Sequence, residues 1–383
     1  MDQRLLYSFF KPLEWINRIL PKNDERILLY SNMGFRDNVR SLYEYLIRNN
    51  YNKKYHITCS LNDYKKYDGT DVKNVTFVSN RRGILYFLTS KYMFYCFGKY
   101  PIMPSNRQTV INMWHGMPLK RIGKLEENNA ANKYDFFSNV ISTSEFFKPY
   151  MAEAFGCDEN RVLICGQPRT DELFKGEHSR KEFGIGNESI FLWMPTFRYS
   201  EKLNVKNGDI TSNGLPICNT QEALISLNDV LEKKNAVCFI KIHPMQKASL
   251  MLEKEMFSHI RFVDDELLEE KGISLYEFIS LSDALITDYS SVYFEYLLLD
   301  RPICFTIDDI DKYNKSRGFV TDNPLDMMPG KHVKDIAGLN EFICEVANGI
   351  DTYKDFRKLA KDKFNAYTDN NNSRRLLSYC GIE

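Results

Sequence analysis

The sequence predicts an α/β protein made of two successive parallel sheets covered by helices. Three observations carry this. The chain has 383 residues, which is long for one domain and makes two the natural division. Strand and helix signals alternate in two series, one starting at Ile27 and the other near Ser189. Five apolar runs end in clusters of polar or charged residues, and in open α/β sheets ligands bind outside the carboxyl ends of the strands.

The first 22 residues stand apart from the rest of the chain. Leu5, Leu6, Phe9, Phe10, Leu13, Ile16 and Leu20 share one face at helical spacing. Arg4, Lys11, Arg18 and Lys22 lie on the other side, with Trp15 near the boundary. This is the pattern of an interfacial helix, and equally of an amphipathic helix docked on its own domain. Pro12 argues for two short helices rather than one. No apolar signal-peptide core with a small-residue cleavage site is evident. The longest apolar stretch, Ile84 to Phe97, is interrupted by Thr89, Ser90 and Lys91. It falls short of the roughly 20 residues that span a bilayer.

The first alternating series reads as a strand over Ile27 to Ser31 and a helix over Asp37 to Arg48. Strands or strand ends come next at His56 to Ser60, Val75 to Val78, Tyr92 to Phe97, Thr109 to Met113 and Asn139 to Ser142. The second series has strands at Ile190 to Trp193, Ala236 to Lys241, Ile260 to Val263, Ala284 to Thr287 and Pro302 to Phe305. The polar stretch Glu201 to Gly214 reads as a loop, and residues 337 to 383 read as helical. The expected division is an amphipathic segment over 1–22, a Rossmann-like domain over 23–170, a second over 171–345, and terminal helices over 346–383.

Lys plus Arg equals Asp plus Glu at 51 each, so no global field favours nucleic acid, and anion recognition has to be local. The nine cysteines form no CxxC and no metal spacing. Several, such as Cys238 and Cys304, sit inside apolar runs as small hydrophobes, which suits a reducing compartment. The sequence carries no signal for oligomeric state.

The strand ends hold the chemistry. Ala284 to Thr287 runs into Asp288-Tyr289-Ser290-Ser291 and then a helical pattern. Unpaired backbone N–H groups at such a helix start attract phosphate, and the serines can donate to a ligand or simply cap the helix. Other runs end in Trp114-His115-Gly116-Met117-Pro118-Leu119-Lys120-Arg121, in Gly166-Gln167-Pro168-Arg169-Thr170-Asp171, in Met194-Pro195-Thr196-Phe197-Arg198 and in Lys241-Ile242-His243-Pro244. Together they describe a site for an anionic, phosphorylated ligand.

Taken in order, WHGMPLK, GQPRTDELF, MPTFR, IKIHP and LITDYSSVYFEYLLLDRPICF resemble the CDP-glycerol:poly(glycerophosphate) glycerophosphotransferase family, which includes teichoic acid primases, polymerases and capsule enzymes. Asp37-Asn38-Val39-Arg40, Arg317-Gly318-Phe319, Met328-Pro329-Gly330 and Tyr367-Thr368-Asp369 extend the match from about residue 27 to about 378. One departure is Asp369 to Ser373, which has no glycine where the family often has Asp-Gly. The resemblance implies two Rossmann-like domains facing each other across a cleft, GT-B-like, with acceptor on the first and CDP-donor on the second. It also implies that the final helix crosses back onto the first domain.

The resemblance further implies attack of an acceptor hydroxyl on the β-phosphorus of CDP-glycerol, with CMP leaving. His115 is the choice for general base, since imidazole accepts a proton near neutral pH; the alternative is a histidine packed beside Trp114. Gly116 lets substrate approach the backbone, while Lys120 and Arg121 can bind acceptor phosphate or be solvated cations at a helix start. His243 is the diphosphate ligand or the acid for the leaving CMP, and Arg198 can grip phosphate in a fork. Thr287, Ser290 and Ser291 form the donor-phosphate site. Asp288 can orient a histidine, bind ribose or cap the turn; Glu295 can accept from ribose or cytosine, or complement the helix dipole. Lys241 is a weak site residue, and Arg169 and Asp171 are structural.

No DxD stands at a strand end, so no structural metal and no cofactor are expected, with Mg²⁺ possible alongside substrate. The expected partners are a CDP-activated polyol, a lipid-linked glycan acceptor and an anionic membrane surface. These place the protein peripherally on the cytoplasmic face of the membrane. CDP-ribitol in place of CDP-glycerol, a nucleotide-sugar glycosyltransferase and a catalytically silent membrane scaffold are the competing readings. Intact motif histidines disfavour the last.

Overall fold

The computed structural model describes residues 3–196, 199–200, 205–206, 215–241 and 257–383. The chain forms two units. The first comprises Met1–Met117, Ile122–Glu172 and Ala366–Glu383, and the second Pro118–Arg121 and Leu173–Asn365.

The first unit opens with α1 (Gln3–Ile19), a single helix that runs through Pro12. The expected break is absent for a local reason. The i−4 carbonyl that Pro12 cannot bond belongs to Ser8, and both residues are on the exposed side of the helix. The other side is docked: buried Asn17 donates to Met103 O at 3.0 Å and to Gln108 Oε1 at 2.7 Å. Lys22, expected among the basic side chains of an interfacial helix, instead donates to Asn17 O, Asn17 Oδ1 and Leu88 O. Burial and nearby Arg107 pull its pKa down to about 8.

The sheet of this unit contains β1 (Asn23–Ser31), β2 (His56–Leu61), β3 (Val75–Ser79), β4 (Ser90–Tyr95), β5 (Thr109–Asn112), β6 (Asn139–Ser142) and β7 (Val162–Ile164). All pairs are parallel and the order is β3-β2-β1-β4-β5-β6-β7, so β1 and β4 flank the point where the strand order reverses. The helices are α2 (Asp37–Arg48), α3 (Asn80–Thr89) and α4 (Lys148–Phe155). Ile27, Leu29, Ile57, Phe94, Ile111 and Ile141 form the sheet side of the core, closed by Val39, Leu42 and Leu46 of α2. Runs buried on both faces are what a parallel sheet requires.

The second unit has β8 (Ser189–Met194), a short antiparallel ribbon of β9 (Tyr199–Ser200) and β10 (Val205–Lys206), α5 (Gln221–Lys233), β11 (Ala236–Lys241) and β12 (Ile260–Val263). Next come α6 (Asp265–Glu270), α7 (Leu275–Ser280), β13 (Ala284–Thr287), α8 (Val292–Tyr296), β14 (Ile303–Thr306), α9 (Ile310–Ser316), β15 (Lys331–Val333), α10 (Ile336–Ala347) and α11 (Lys354–Phe364). Its six-stranded parallel sheet has the order β12-β11-β8-β13-β14-β15, a second Rossmann-type order with the reversal between β8 and β13. Most of the stretch 201–214, expected as a loop, lies outside the described residues.

The last helix, α12 (Asn372–Tyr379), belongs to the first unit, where Leu376 and Leu377 are fully buried in its core. Asp171 fixes its start by accepting from Asn372 N and Ser373 N, both at 2.9 Å. That cap does the work expected of a helix start without the glycine noted at 369–373.

Candidate functional site

His115 lies just after β5 on a tight turn. Trp114 has φ of 49°, unusual for an aromatic residue, and Gly116 has φ of 124°, which only glycine adopts without strain. Asn112 Oδ1 accepts from Trp114 N at 3.0 Å and starts the turn. Asn38, fully buried at the start of α2, then locks it: Nδ2 donates to Met113 O at 3.3 Å, Trp114 O at 2.9 Å and Gln167 Oε1 at 3.2 Å. Its Oδ1 accepts from Arg169 N at 3.0 Å. The Arg169 guanidinium pairs with Asp37 at 2.5 Å, with both side chains largely buried. The half-buried His115 ring stacks on Phe97, 4.7 Å between ring centres, and lies 4.0 Å from the ring of Trp114. Three separate motifs therefore meet around one turn, and the imidazole has little freedom to move.

Lys120 and Arg121 are not at a helix start. Lys120 bridges Phe319 in antiparallel fashion, Arg121 N donates to Gly318 O at 3.1 Å, and Val320 N donates to Leu119 O at 3.0 Å. Arg121 Nε also donates to Phe319 O at 3.3 Å. A Cβ on Gly318 would lie 2.9 Å from Arg121 Cδ, so this close approach, with φ of 74°, requires glycine. The cations thus belong to the second unit while Gly116 belongs to the first. The three residues expected at one acceptor site therefore fall in different units, and the helix start whose dipole would oppose the cations is not present.

At the end of β13, Thr287 Oγ1 donates to Met194 O at 2.7 Å, and buried Asp288 accepts from Thr196 N at 2.8 Å and Thr196 Oγ1 at 2.5 Å. Tyr289 donates to Asp309 at 3.0 Å and packs against Tyr313 and Phe319, which ties this turn to the Lys120–Arg121 strap. Buried Glu295 accepts from Tyr276. Thr287, Asp288 and Glu295, expected as donor ligands, are therefore already engaged in holding β8, β13 and α7 in register. Ser290 and Ser291 differ: both are half-buried, and neither hydroxyl has a partner among the described residues. Ser291 stands at the N-cap of α8 without capping it through its side chain, and α8 continues directly into a 3-10 turn over Leu297–Leu299, so the helix expected after the two serines is present and short. Lys241 pairs with Asp265 at 2.7 Å. Arg198 and His243 lie outside the described residues.

Sequence reasoning missed Asn38 and Gln167. Both were inside motifs, but nothing in the spacing shows that residue 38 meets a carbonyl 75 positions away. Among the described residues no group of three or more His, Cys, Asp or Glu side chains could hold a metal, and no helix is long and apolar enough to cross a membrane.

Two parallel sheets of Rossmann order in one chain define the two-Rossmann, GT-B-like class. The wall teichoic acid polymerase TagF has the same fold, with a TM-score of 0.75 at 20% identity over 99% of this chain and 93% of that one. A UDP-N-acetylglucosamine 2-epimerase also matches, with a TM-score of 0.55 at 11% identity over 94% of this chain and 97% of that one. The model of the CDP-glycerol:poly(glycerophosphate) glycerophosphotransferase family matches residues 13–380, and the chain belongs to that family. It is 30% identical over 296 residues to the teichoic acid glycerol-phosphate primase of Bacillus subtilis (strain 168), covering 73% of this chain and 69% of that protein. It is likewise 30% identical over 260 residues to the teichoic acid ribitol-phosphate primase of Bacillus spizizenii, covering 62% of this chain and 61% of that protein.

Proposed function

We propose that the chain transfers glycerol phosphate from CDP-glycerol to a hydroxyl of a lipid-linked acceptor and releases CMP, in the synthesis of a teichoic acid or capsule-type polymer. The observation that supports this most is His115, held by Asn38 on a fixed turn at a strand end, in a member of the glycerophosphotransferase family. The acceptor oxygen attacks the β-phosphorus, the bond from that phosphorus to the bridging oxygen breaks, and CMP departs with the electron pair. His115 takes the hydroxyl proton as the new bond forms. The rest is positioning and charge stabilisation, as in phosphoryl transfer generally.

On the second unit, Ser290 and Ser291 donate to the donor diphosphate, with Lys120 and Arg121 as its cations. From the sequence, Arg198 grips the diphosphate and His243 binds it or protonates the leaving CMP. Thr287, Asp288 and Glu295 keep that strand end in place. The proposal carries no resident metal, and a Mg²⁺ ion arriving with the diphosphate is compatible with it. The exposed stripe of Lys11, Trp15, Arg18 and Ile19 on α1 supports peripheral attachment to an anionic membrane, on the cytoplasmic face where a CDP-activated donor is met.

CDP-ribitol is the second reading, favoured by equal identity to a glycerol- and a ribitol-phosphate primase. The test is incubation with each donor and a lipid-diphosphate disaccharide, scored for CMP. Release dependent on acceptor with CDP-glycerol is the expected result. Release with CDP-ribitol alone moves the assignment to the ribitol donor, and release with neither overturns the proposal.

A further inference from the structure

The first unit contains a cavity of about 520 Å³ beside the strand-end motif that carries His115. It lies where the strand order of the first sheet reverses: Asn32 comes just after β1, Tyr95 ends β4, and Gly98 and Lys99 come next. Open α/β sheets bind ligands at such switch points. A Cβ on Gly98, whose φ is 69°, would lie 2.4 Å from the Asn32 side chain, so glycine is what lets these two strand ends approach each other here.

The lining has two chemical parts. Tyr7, Trp114, Tyr134, Phe136 and Phe155 supply aromatic surface. Lys99 and Lys133 supply charge: Lys99 Nζ lies 4.5 Å from the Tyr134 ring centre, and Lys133 Nζ lies 5.1 Å from that of Tyr7. A third feature points to a ligand. Tyr95 lines the cavity and is 3% exposed, yet its hydroxyl has no hydrogen-bond partner among the described residues. A buried hydroxyl left unpaired costs stability, and such groups as a rule have partners.

The cavity also shares its wall with the catalytic turn. Asn112 and Trp114 line it, Asn112 holds the Trp114 amide, and the Trp114 ring is 4.0 Å from His115. We propose that this cavity binds the acceptor, as a glycan carrying a phosphate or diphosphate, with sugar rings against the aromatic walls and the phosphate on Lys99 and Lys133. Aromatic faces suit the apolar C–H surface of a sugar ring, and paired ammonium groups suit phosphate oxygens. Burial pulls Lys99 down to about 8, partly offset by Asp135, and a bound phosphate would restore its full charge. Tyr7 places α1 in the cavity wall, so the helix with the exposed Trp15 and Ile19 stands next to the entering ligand.

The inference rests on the transferase reading for the word acceptor, but its test needs no turnover. Octyl-diphospho-chitobiose and octyl chitobioside, which lacks the diphosphate, are titrated into the full chain by calorimetry without donor. Wild type is expected to prefer the diphosphate probe by at least on the order of 10-fold. Lys99→Gln with Lys133→Gln is expected to remove that preference while CDP-glycerol affinity stays unchanged. Lys133→Gln alone, at an exposed position, keeps the test open if the Lys99 change impairs folding, and it should lose part of the preference. Wild type binding both probes equally or neither, or variants that retain the preference, overturn the proposal. Failure of the transferase reading is seen separately, as absence of CMP release from either CDP-polyol.

Discussion

At the residue scale, the catalytic proposal depends on how firmly one imidazole is placed. Asn38 bonds two backbone carbonyls of the turn, a glutamine and the Arg169 amide, and all of these are buried or nearly so. Asn38→Ala leaves them unsatisfied, which costs roughly 1–3 kcal/mol. The same change frees the turn, and a displacement of about 1 Å can cost about 100-fold in rate. The expected outcome is a lower melting temperature together with a drop in kcat of that order, at unchanged CDP-glycerol affinity. Wild-type kcat in a folded Asn38→Ala protein would show that the turn does not need this lock. Arg169 and Asp171 are structural as the sequence suggests, one through its ion pair with Asp37 and one through the cap of α12. Their partners were not legible, because those contacts join residues more than a hundred positions apart.

At the element scale, strands read well where an apolar run is bounded by polar residues. Asn139–Ser142, Ala236–Lys241, Ile260–Val263 and Ala284–Thr287 have the bounds the sequence suggests. β15 did not, since Lys331-His332-Val333 is three residues long, pairs on one side only and offers no alternation to read. The segment after Ser291 is helical as the sequence suggests, with α8 running into a 3-10 turn over Leu297–Leu299, and Val292 to Leu298 is buried throughout. In α1 the apolar and polar faces were visible, but which face docks was not. Trp15 and Ile19 are 67% and 56% exposed, beside exposed Lys11 and Arg18. Trp15→Ser with Ile19→Ser is therefore expected to reduce co-sedimentation with anionic vesicles. Each large apolar side chain contributes up to about 1.5–3 kcal/mol when buried, and each well-placed cation about 1 kcal/mol. Equal pelleting of variant and wild type would assign α1 a purely structural role.

At the scale of the whole molecule, the two parallel sheets were foreseeable from alternation and length and the return of the final helix from the family resemblance, while the strand order and the departure of Pro118–Arg121 were not. The four residues Pro118–Arg121 leave the first unit for the second, and Ala366–Glu383 return to the first. Neither excursion has a compositional signature. Both arise from tertiary pairing, of Lys120 with Phe319 and of Asp171 with the start of α12. The turn carrying His115 and the turn carrying Ser290 and Ser291 stand on different sheets, so the two proposed roles, base and donor binding, are separable by mutation. The most direct test of the account uses His115→Ala, with CDP-glycerol affinity and acceptor-dependent CMP release measured on the same folded protein. The account predicts a donor dissociation constant within about twofold of wild type and a rate lower by about 10² to 10⁴. CMP release at the wild-type rate would contradict it.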